Sequence, residues 1–407
     1  MKTQKIISVF KEETDMDFQI SDRMSTLKGS AIREMFKAMA DPSMISLAGG
    51  NPSAELFPNK ELAEIARDIL ENDPVGALQY GISEGNIALR KKILEMMEQR
   101  ENIHASLDEI TIVSGGQQAI EISSKILLNE GDYVLVEEPS FVGALNAFRS
   151  YGAKLKGIEV KEDGIDVEAL KKALDETPNV KIIYTIPNFQ NPSGITMSEE
   201  KRRAVYEAAR EHGVFIIEDN PYGELTFDGV KLPTIKSMDK DGIVLYSGSF
   251  SKILAPGLRL GYLIAPKNFT EKAVLGKQVS DVHTALLPQL LALHFLEKYD
   301  IGALIEKMRS LYSRKCSAML EAIDKYLPAS VSHTTPRGGL FVWCDAPGVD
   351  TLKLSQDCIK EKVLIVPGNN FAVDMSKPNS GFRLNFSTMS DELIVEGVKR
   401  LGKVLNG

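Results

Sequence analysis

Cysteine is scarce in this chain of 407 residues: Cys316, Cys344 and Cys358 are odd in number and widely spaced. That count excludes a disulfide scaffold, and neither the cysteines nor the five scattered histidines show a metal-ligand spacing. Long apolar runs are missing as well. The stretch from Ala285 to Phe295 is interrupted by Pro288, Gln289 and His294, and no run approaches the length that a bilayer demands. Positive charge is not in excess: 48 Lys and Arg stand against 56 Asp and Glu, a net charge of -8, which argues against a nucleic-acid footprint. The opening MKTQKIISVFKEETD has too short an apolar core for a secretory signal. No G-x-G-x-x-G follows the first predicted strand, so a nucleotide-binding Rossmann protein does not fit. No repeat or low-complexity linker is present. These absences leave a globular protein expected in the cytoplasm, with no metal, no membrane and no nucleic acid.

What the chain does have is a rhythm. Apolar runs at 110–113, 133–136, 155–160, 181–186, 214–217, 243–246 and 260–264 predict strands, and helical segments at 117–128, 142–150, 167–174 and 198–211 lie between most of them. Alternating strands and helices predict an α/β fold with a mainly parallel, seven-stranded sheet buried on both faces. Ahead of it, Ile32, Met35, Phe36 and Met39 recur at helical spacing across 30–40. From Ser46 the chain reads SLAGGNPSAELFP, predicted to be irregular. Helices at 60–71 and around 89–99 follow. After Phe269 the pattern predicts two long helices, roughly 271–299 and 301–326. A smaller α+β unit ends the chain, with strands near Val331 and at 340–343, 363–366 and 382–386, and helices at 352–361 and 391–404. The predicted division is an N-terminal arm and helix (1–45) joining the small domain, a large α/β domain (46–300) and the small C-terminal domain (301–407).

The chain is organised around residues 243–262, IVLYSGSFSKILAPGLRLGY. A buried strand breaks at Ser247-Gly248-Ser249, and Lys252 follows at once. An ammonium at the end of a buried strand needs a partner or loses its proton, and a lysine of depressed pKa is a nucleophile toward aldehydes. Other predicted strands also end in unusual residues, at the edge where α/β sheets bind ligands. The first runs into Ser114-Gly115-Gly116-Gln117 opening a helix, which suits a phosphate. The second ends in Glu137-Glu138-Pro139-Ser140-Phe141 and offers an aromatic face. The fourth carries Asn191 in NPSG, and the fifth ends Glu218-Asp219-Asn220-Pro221-Tyr222. A phosphate cradle, an aromatic plate, an amide, a carboxylate, a phenol and a lysine together suit pyridoxal phosphate.

The succession SGGQQA, NPSG, EDNPY, SFSK, PGLRLGY and FRLNF resembles the fold-type I, pyridoxal phosphate-dependent aminotransferases of class I/II, and is most similar to their 2-aminoadipate and kynurenine branch. The resemblance runs from about Ser30 to the C-terminus. It implies that Lys252 forms a Schiff base with the cofactor and shuttles protons, and that Asp219 pairs with the pyridine nitrogen. Tyr222 and Asn191 would bond the ring's phenolic oxygen and Phe141 would stack on the ring. Gly115, Gly116, Gln117, Ser249, Ser251 and Arg259 would hold the phosphate, with Tyr80 reaching it across a homodimer interface. Arg383 would clamp the substrate carboxylate, near Gly50 and Asn191. Ser30 and Arg33 match a helix lying over the substrate side chain, where Arg33 would meet a distal carboxylate. Gly116 stands where relatives usually carry serine, and Phe141 where tyrosine is common.

The implied reaction is transfer of an amino group from an L-amino acid (2-aminoadipate, glutamate, aromatic or branched-chain) to 2-oxoglutarate by a ping-pong mechanism. A carbon–sulfur β-lyase on the same scaffold shares Lys252, Asp219 and Arg383. A ligand-sensing domain of a transcription regulator is the remaining alternative. It would need a DNA-binding module ahead of SLAGG, where about 45 residues with no basic excess stand.

Overall fold

The structure, a computed structural model, describes residues 20–25 and 41–406. The predicted helix across 30–40, with Ser30 and Arg33, lies outside the described residues.

Fourteen strands form among the described residues. They are β1 (Ile45–Ser46), β2 (Ile110–Val113), β3 (Tyr133–Glu138), β4 (Lys154–Lys161), β5 (Gly164–Ile165), β6 (Val180–Thr185), β7 (Phe215–Asp219), β8 (Val244–Ser249), β9 (Gly261–Ile264), β10 (Ser332–His333), β11 (Phe341–Asp345), β12 (Val363–Leu364), β13 (Val366–Pro367) and β14 (Gly381–Asn385). The large sheet has the order β2-β9-β8-β7-β6-β3-β4-β5. Neighbours from β8 through β4 are parallel, while β9 runs antiparallel between β2 and β8. All seven predicted strands are present, and an eighth, β5, folds back on β4 as a two-residue edge strand. Its turn closes through Gly164 at φ 113°, and so short a run leaves no periodic signal.

Alternation explains why the strands read as unbroken apolar runs. Val134 and Val136 of β3 join one core cluster and Leu135 the other; Ile182 and Tyr184 of β6 likewise part from Ile183. Helix Gly116–Leu127 contributes Ala119, Ile120 and Ile122 to the first cluster. Helices Val167–Glu176 and Glu199–His212 contribute Leu170, Leu174, Val205 and Ala209 to the second. The last of these is bounded as its sequence demands: Ser198 accepts from the Lys201 amide, and Gly213 ends it at φ 64°.

Three predictions are corrected. The helix expected over 271–299 is two helices, Lys267–Gln278 and Leu286–Lys298. The Lys277 carbonyl accepts from the amides of Ser280, Asp281 and Val282, and Val282 turns left-handed at φ 64°, so the chain reverses there. The strand expected over 363–366 is two strands in two sheets: β12 pairs in parallel with β1, and β13 pairs with β14. Regular structure also forms where none was predicted, in β1, which includes Ser46, and in helix Pro74–Leu78.

The small unit is the antiparallel sheet β10-β11-β14-β13 with helices Thr351–Lys360 and Asp391–Leu405, and long helix Ile301–Tyr326 packs on the latter. Through β1 the N-terminal segment joins this unit: Ala48 packs with Leu364, Val366 and Phe371.

Gly248 of β8 faces Tyr262 of β9, and a methyl group on it would fall 2.1 Å from Tyr262 Cζ. Gly248→Ala therefore overpacks the strand that leads to Lys252, a change of about 1–3 kcal/mol. Calorimetry should show a lower Tm; an unchanged Tm would contradict this packing.

Candidate active site

The carboxyl ends of β3, β6, β7 and β8 and the start of helix Gly116–Leu127 surround a cavity of about 510 Å³. β13, Phe371 and β14 of the small unit face it from the other side.

Asp219 closes β7, with 4% of its surface exposed. Tyr184 Oη donates to its Oδ2 at 2.9 Å and Ser247 Oγ to its Oδ1 at 3.1 Å. Burial pushes its pKa up to about 6, against those two donors and the Lys252 charge, which favour the anion. Two more buried carboxylates lie close by, Glu137 near the end of β3 and Glu218 beside Asp219 on β7. Glu137 accepts from Thr185 Oγ1, the Ile186 amide and Gln190 Nε2, and Glu218 from the amides of Ile235 and Lys236. Burial pushes both up to about 7.

Lys252 lies half-buried past β8, and its Nζ donates to the Gly50 carbonyl at 2.7 Å. Burial, then the charges of Arg383 and Arg259, draw its pKa down to about 8, while Asp219 pulls the other way. The amine is thus partly neutral near physiological pH, which an amine nucleophile or base requires.

Arg383, from β14, is buried. Nη1 donates to Asn191 Oδ1 and Nη2 to the Ala48 carbonyl, both at 2.7 Å. Its guanidinium stacks over Phe341 at 4.2 Å and Phe371 at 5.0 Å. Its Nε has no hydrogen-bond partner among the described residues. Tyr222 packs edge-on to Phe341, 5.7 Å between ring centres, and is hydrogen-bonded to Asn191; burial raises its phenol pKa.

Arg259 reaches the opposite end of the cavity. Its backbone is left-handed, φ 48°, after the turn at Pro256, and its Nη2 donates to the Ser114 carbonyl at 3.2 Å. A Cβ on Gly115 would stand 2.6 Å from that nitrogen, so the guanidinium lies where only glycine leaves room. A Cβ on Gly116 would come 3.1 Å from Ser247 Oγ and 3.4 Å from Asp219 Oδ1, tight quarters for any larger residue. Ser249, Ser251, Gln117, Phe141 and Gly50 also line the cavity. The first turn of the helix, a guanidinium and small hydroxyl residues make an anion cradle.

The structure does not bring every predicted residue into this cavity. Tyr80 is 81% exposed and stands edge-on to His283, away from the lining. Several contributors carried no sequence signal. Tyr184 reads as one more apolar strand residue, and Phe371 lies in the small unit, far along the chain from Asn191. A polar hydroxyl within the run KIIYT is the one hint that could have pointed to Tyr184 and Thr185.

The family model for aminotransferases of class I and II matches residues 42–401. The chain is 37% identical to aromatic-amino-acid aminotransferase 1 of Thermococcus litoralis, over 100% of this chain and 99% of the relative. It is 38% identical to 2-aminoadipate transaminase of Thermus thermophilus, over 94% of this chain and 95% of that one. The crystal structure of kynurenine aminotransferase from Pyrococcus horikoshii, in complex with PMP, KYN and KYA, matches with a TM-score of 0.92 at 36% identity, covering 97% of this chain and 98% of that one.

The charges around Lys252 give a direct test. Its rate of acylation by an amine-reactive reagent in the cofactor-free protein, read by peptide mass spectrometry, should be half-maximal near pH 8. Asp219→Asn should shift that midpoint downward, because the carboxylate favours the ammonium. A midpoint near that of a free lysine would contradict the burial described.

Proposed function

The chain belongs to the aminotransferases of class I and II, and from that premise we propose that it moves an amino group from an L-amino acid to 2-oxoglutarate, in two alternating half-reactions, with pyridoxal phosphate bound in the cavity. The observation that carries this reading is the Lys252 amine, half-buried between Asp219 and Arg383 within one cavity.

The residues fit such a cofactor. The Gly115–Arg259 approach and the helix start offer an anion cradle at one end, and the unpartnered Nε of Arg383 is a buried donor at the other. Bound there, pyridoxal phosphate supplies an aldehyde for the amino group and a ring that draws electrons away from the substrate's α-carbon. The chain's own groups do the rest. The backbone at Gly115, Gly116 and Gln117, with Ser249, Ser251 and Arg259, holds the phosphate. Asp219, fixed in place by Tyr184 and Ser247, would hold the ring nitrogen. Tyr222 and Asn191 would hold the ring's oxygen, and Phe141 would offer its face to the ring. Arg383, held rigid by Asn191, Ala48 and two aromatic rings, takes the substrate carboxylate through its fork, with Gly50 alongside. Lys252 Nζ, near neutrality, takes the proton from the substrate's α-carbon.

Tyr80 serves the site of a second copy. It stands on an exposed apolar edge with Val75 and Leu78, the kind of patch that marks an interface. We take the site as completed across a homodimer, with a large domain over 46–300, a small one over 301–407 and the arm 1–45 joining the small one. Ser30 and Arg33 are assigned to the substrate side chain, with Arg33 selecting acidic substrates. The names of the Thermococcus and Thermus relatives support acceptance of both aromatic and acidic side chains. The cytoplasm is the compartment that suits these substrates.

Mixing cofactor-loaded protein with glutamate or 2-aminoadipate, without any oxo acid, should convert the cofactor's absorbance to that of its amine form, and 2-oxoglutarate should reverse the change. Release of pyruvate and ammonia from a sulfur amino acid would instead identify a β-lyase. Arg383→Lys should raise KM for the amino acid roughly tenfold, about 1.4 kcal/mol, because an ammonium lacks the fork. An unchanged KM would move the carboxylate clamp elsewhere.

A further inference from the structure

Lys277, at the end of helix Lys267–Gln278, is completely buried and lies outside the cavity lining. Its Nζ donates to Gln118 Oε1 at 2.9 Å, to both Asp281 oxygens at 3.1 Å and to Thr284 Oγ1 at 2.9 Å. Burial disfavours its charge and Asp281 supports it. An ammonium buried this deeply persists because its protons all have acceptors, and removing it would take from Asp281 its counter-charge.

Bonds leave this node in two directions. Toward the cradle, Gln118 Oε1 also accepts from the Ser114 amide at 2.7 Å, while Gln118 Nε2 donates to Asp281 Oδ2 at 2.7 Å. Ser114 Oγ donates to the same carboxylate oxygen at 3.3 Å. With an ammonium on one side and a carboxylate on the other, the Gln118 amide has a single orientation. That orientation sets the backbone of Ser114, whose carbonyl receives Arg259. Toward the Tyr80 edge, the Thr284 carbonyl accepts from Gln289 Nε2 at 2.7 Å, and Gln289 Oε1 accepts from the Asn86 amide at 2.8 Å. His283 Nε2 accepts from the Gly81 amide at 3.2 Å, next to Tyr80. Val279 and Val282 of the same turn are exposed, Val282 in a left-handed conformation that a β-branched residue adopts only under constraint.

We propose that Lys277 is a positioning residue that holds the Ser114–Gln118 cradle and the Tyr80 edge in one arrangement, so that cofactor retention and association of two copies are coupled through it. The inference rests on the cradle and the edge having the roles given above.

The experiment compares Lys277→Met, Asp281→Asn, Arg259→Ala and the core control Ile183→Val, which lies in the separate second cluster. Equilibrium dialysis of the apoproteins gives the Kd of pyridoxal phosphate, and sedimentation gives the state of association. Lys277→Met should raise the cofactor Kd tenfold or more and dissociate at concentrations where the parent stays associated. At saturating cofactor and high protein concentration its kcat and KM should remain within twofold. Asp281→Asn should move both quantities the same way by a smaller factor, and it decides the question on the same criteria if Lys277→Met does not fold. Ile183→Val should lower Tm without moving either. A folded Lys277→Met with cofactor Kd within twofold of the parent overturns the proposal, as does weakened cofactor binding with association intact. If Arg259→Ala weakens the cofactor and Lys277→Met does not, the cradle stands and the node falls. If Arg259→Ala also leaves the Kd unchanged, the cradle itself is misplaced.

Discussion

A carboxylate, an ammonium and a guanidinium share one cavity at the edge of the large sheet, and for all three the removal of water is the largest influence on charge. Desolvation penalises each ion, so each persists only where the fold supplies dedicated partners. Asp219 has the Tyr184 and Ser247 hydroxyls. Arg383 has an amide oxygen, a carbonyl and two ring faces, and burial still draws it down to about 10. Lys252 has a single carbonyl among the described residues, and burial draws its pKa down to about 8. A carboxylate held by two hydroxyls, a guanidinium held in its fork and an amine of lowered pKa thus meet in one cavity.

The same constraint reaches the strands behind the site. Glu137 accepts from Thr185 and Ile186 at the end of β6 and from Gln190 in the loop beyond it. Gln190 Nε2 also donates to the Pro139 carbonyl and its Oε1 accepts from the Ser193 amide, so the loop that presents Asn191 is tied to the end of β3 at Ile186 and Gln190. Arg202, with none of its surface exposed, holds the carbonyls of Pro187, Met197 and Pro233 beneath the same loop. Asn191 in turn orients Arg383. The clamp for a substrate carboxylate is therefore positioned from the large sheet, although its arginine belongs to the small one.

Much of this was legible in the chain. Strands buried on both faces announce themselves as apolar runs, and all seven of the predicted ones form; in β3 and β6 alternate residues face two separate cores, while the buried apolar residues of β2 and β9 all join the first. The strand-end residues were legible for a related reason: charges such as Asp219 and Lys252 interrupt those runs where a core cannot explain them. What escaped depended on distance. β1 and β12 are two residues long and pair only because the chain's two ends meet, so neither has a period to read. The break after Lys277 was hidden because leucines and valines continue on either side, while the turn is made by one lysine's side chain and carbonyl. Phe371 and Tyr184 gained their places from partners far away in sequence.

β1 carries a consequence for the order of assembly. The carbonyls of Ala48 and Gly50, just beyond it, receive Arg383 and Lys252, the former across 335 positions of chain. Contacts so remote cannot form until the last strands exist, and loop closure makes them slow. A chain emerging from the ribosome therefore holds Gly50 long before it holds the arginine, and the large sheet is complete while the amine still lacks its opposite wall. Competence arrives as the final event of folding, when the two ends of the polypeptide are knitted together, so an unfinished chain presents a lysine without a clamp.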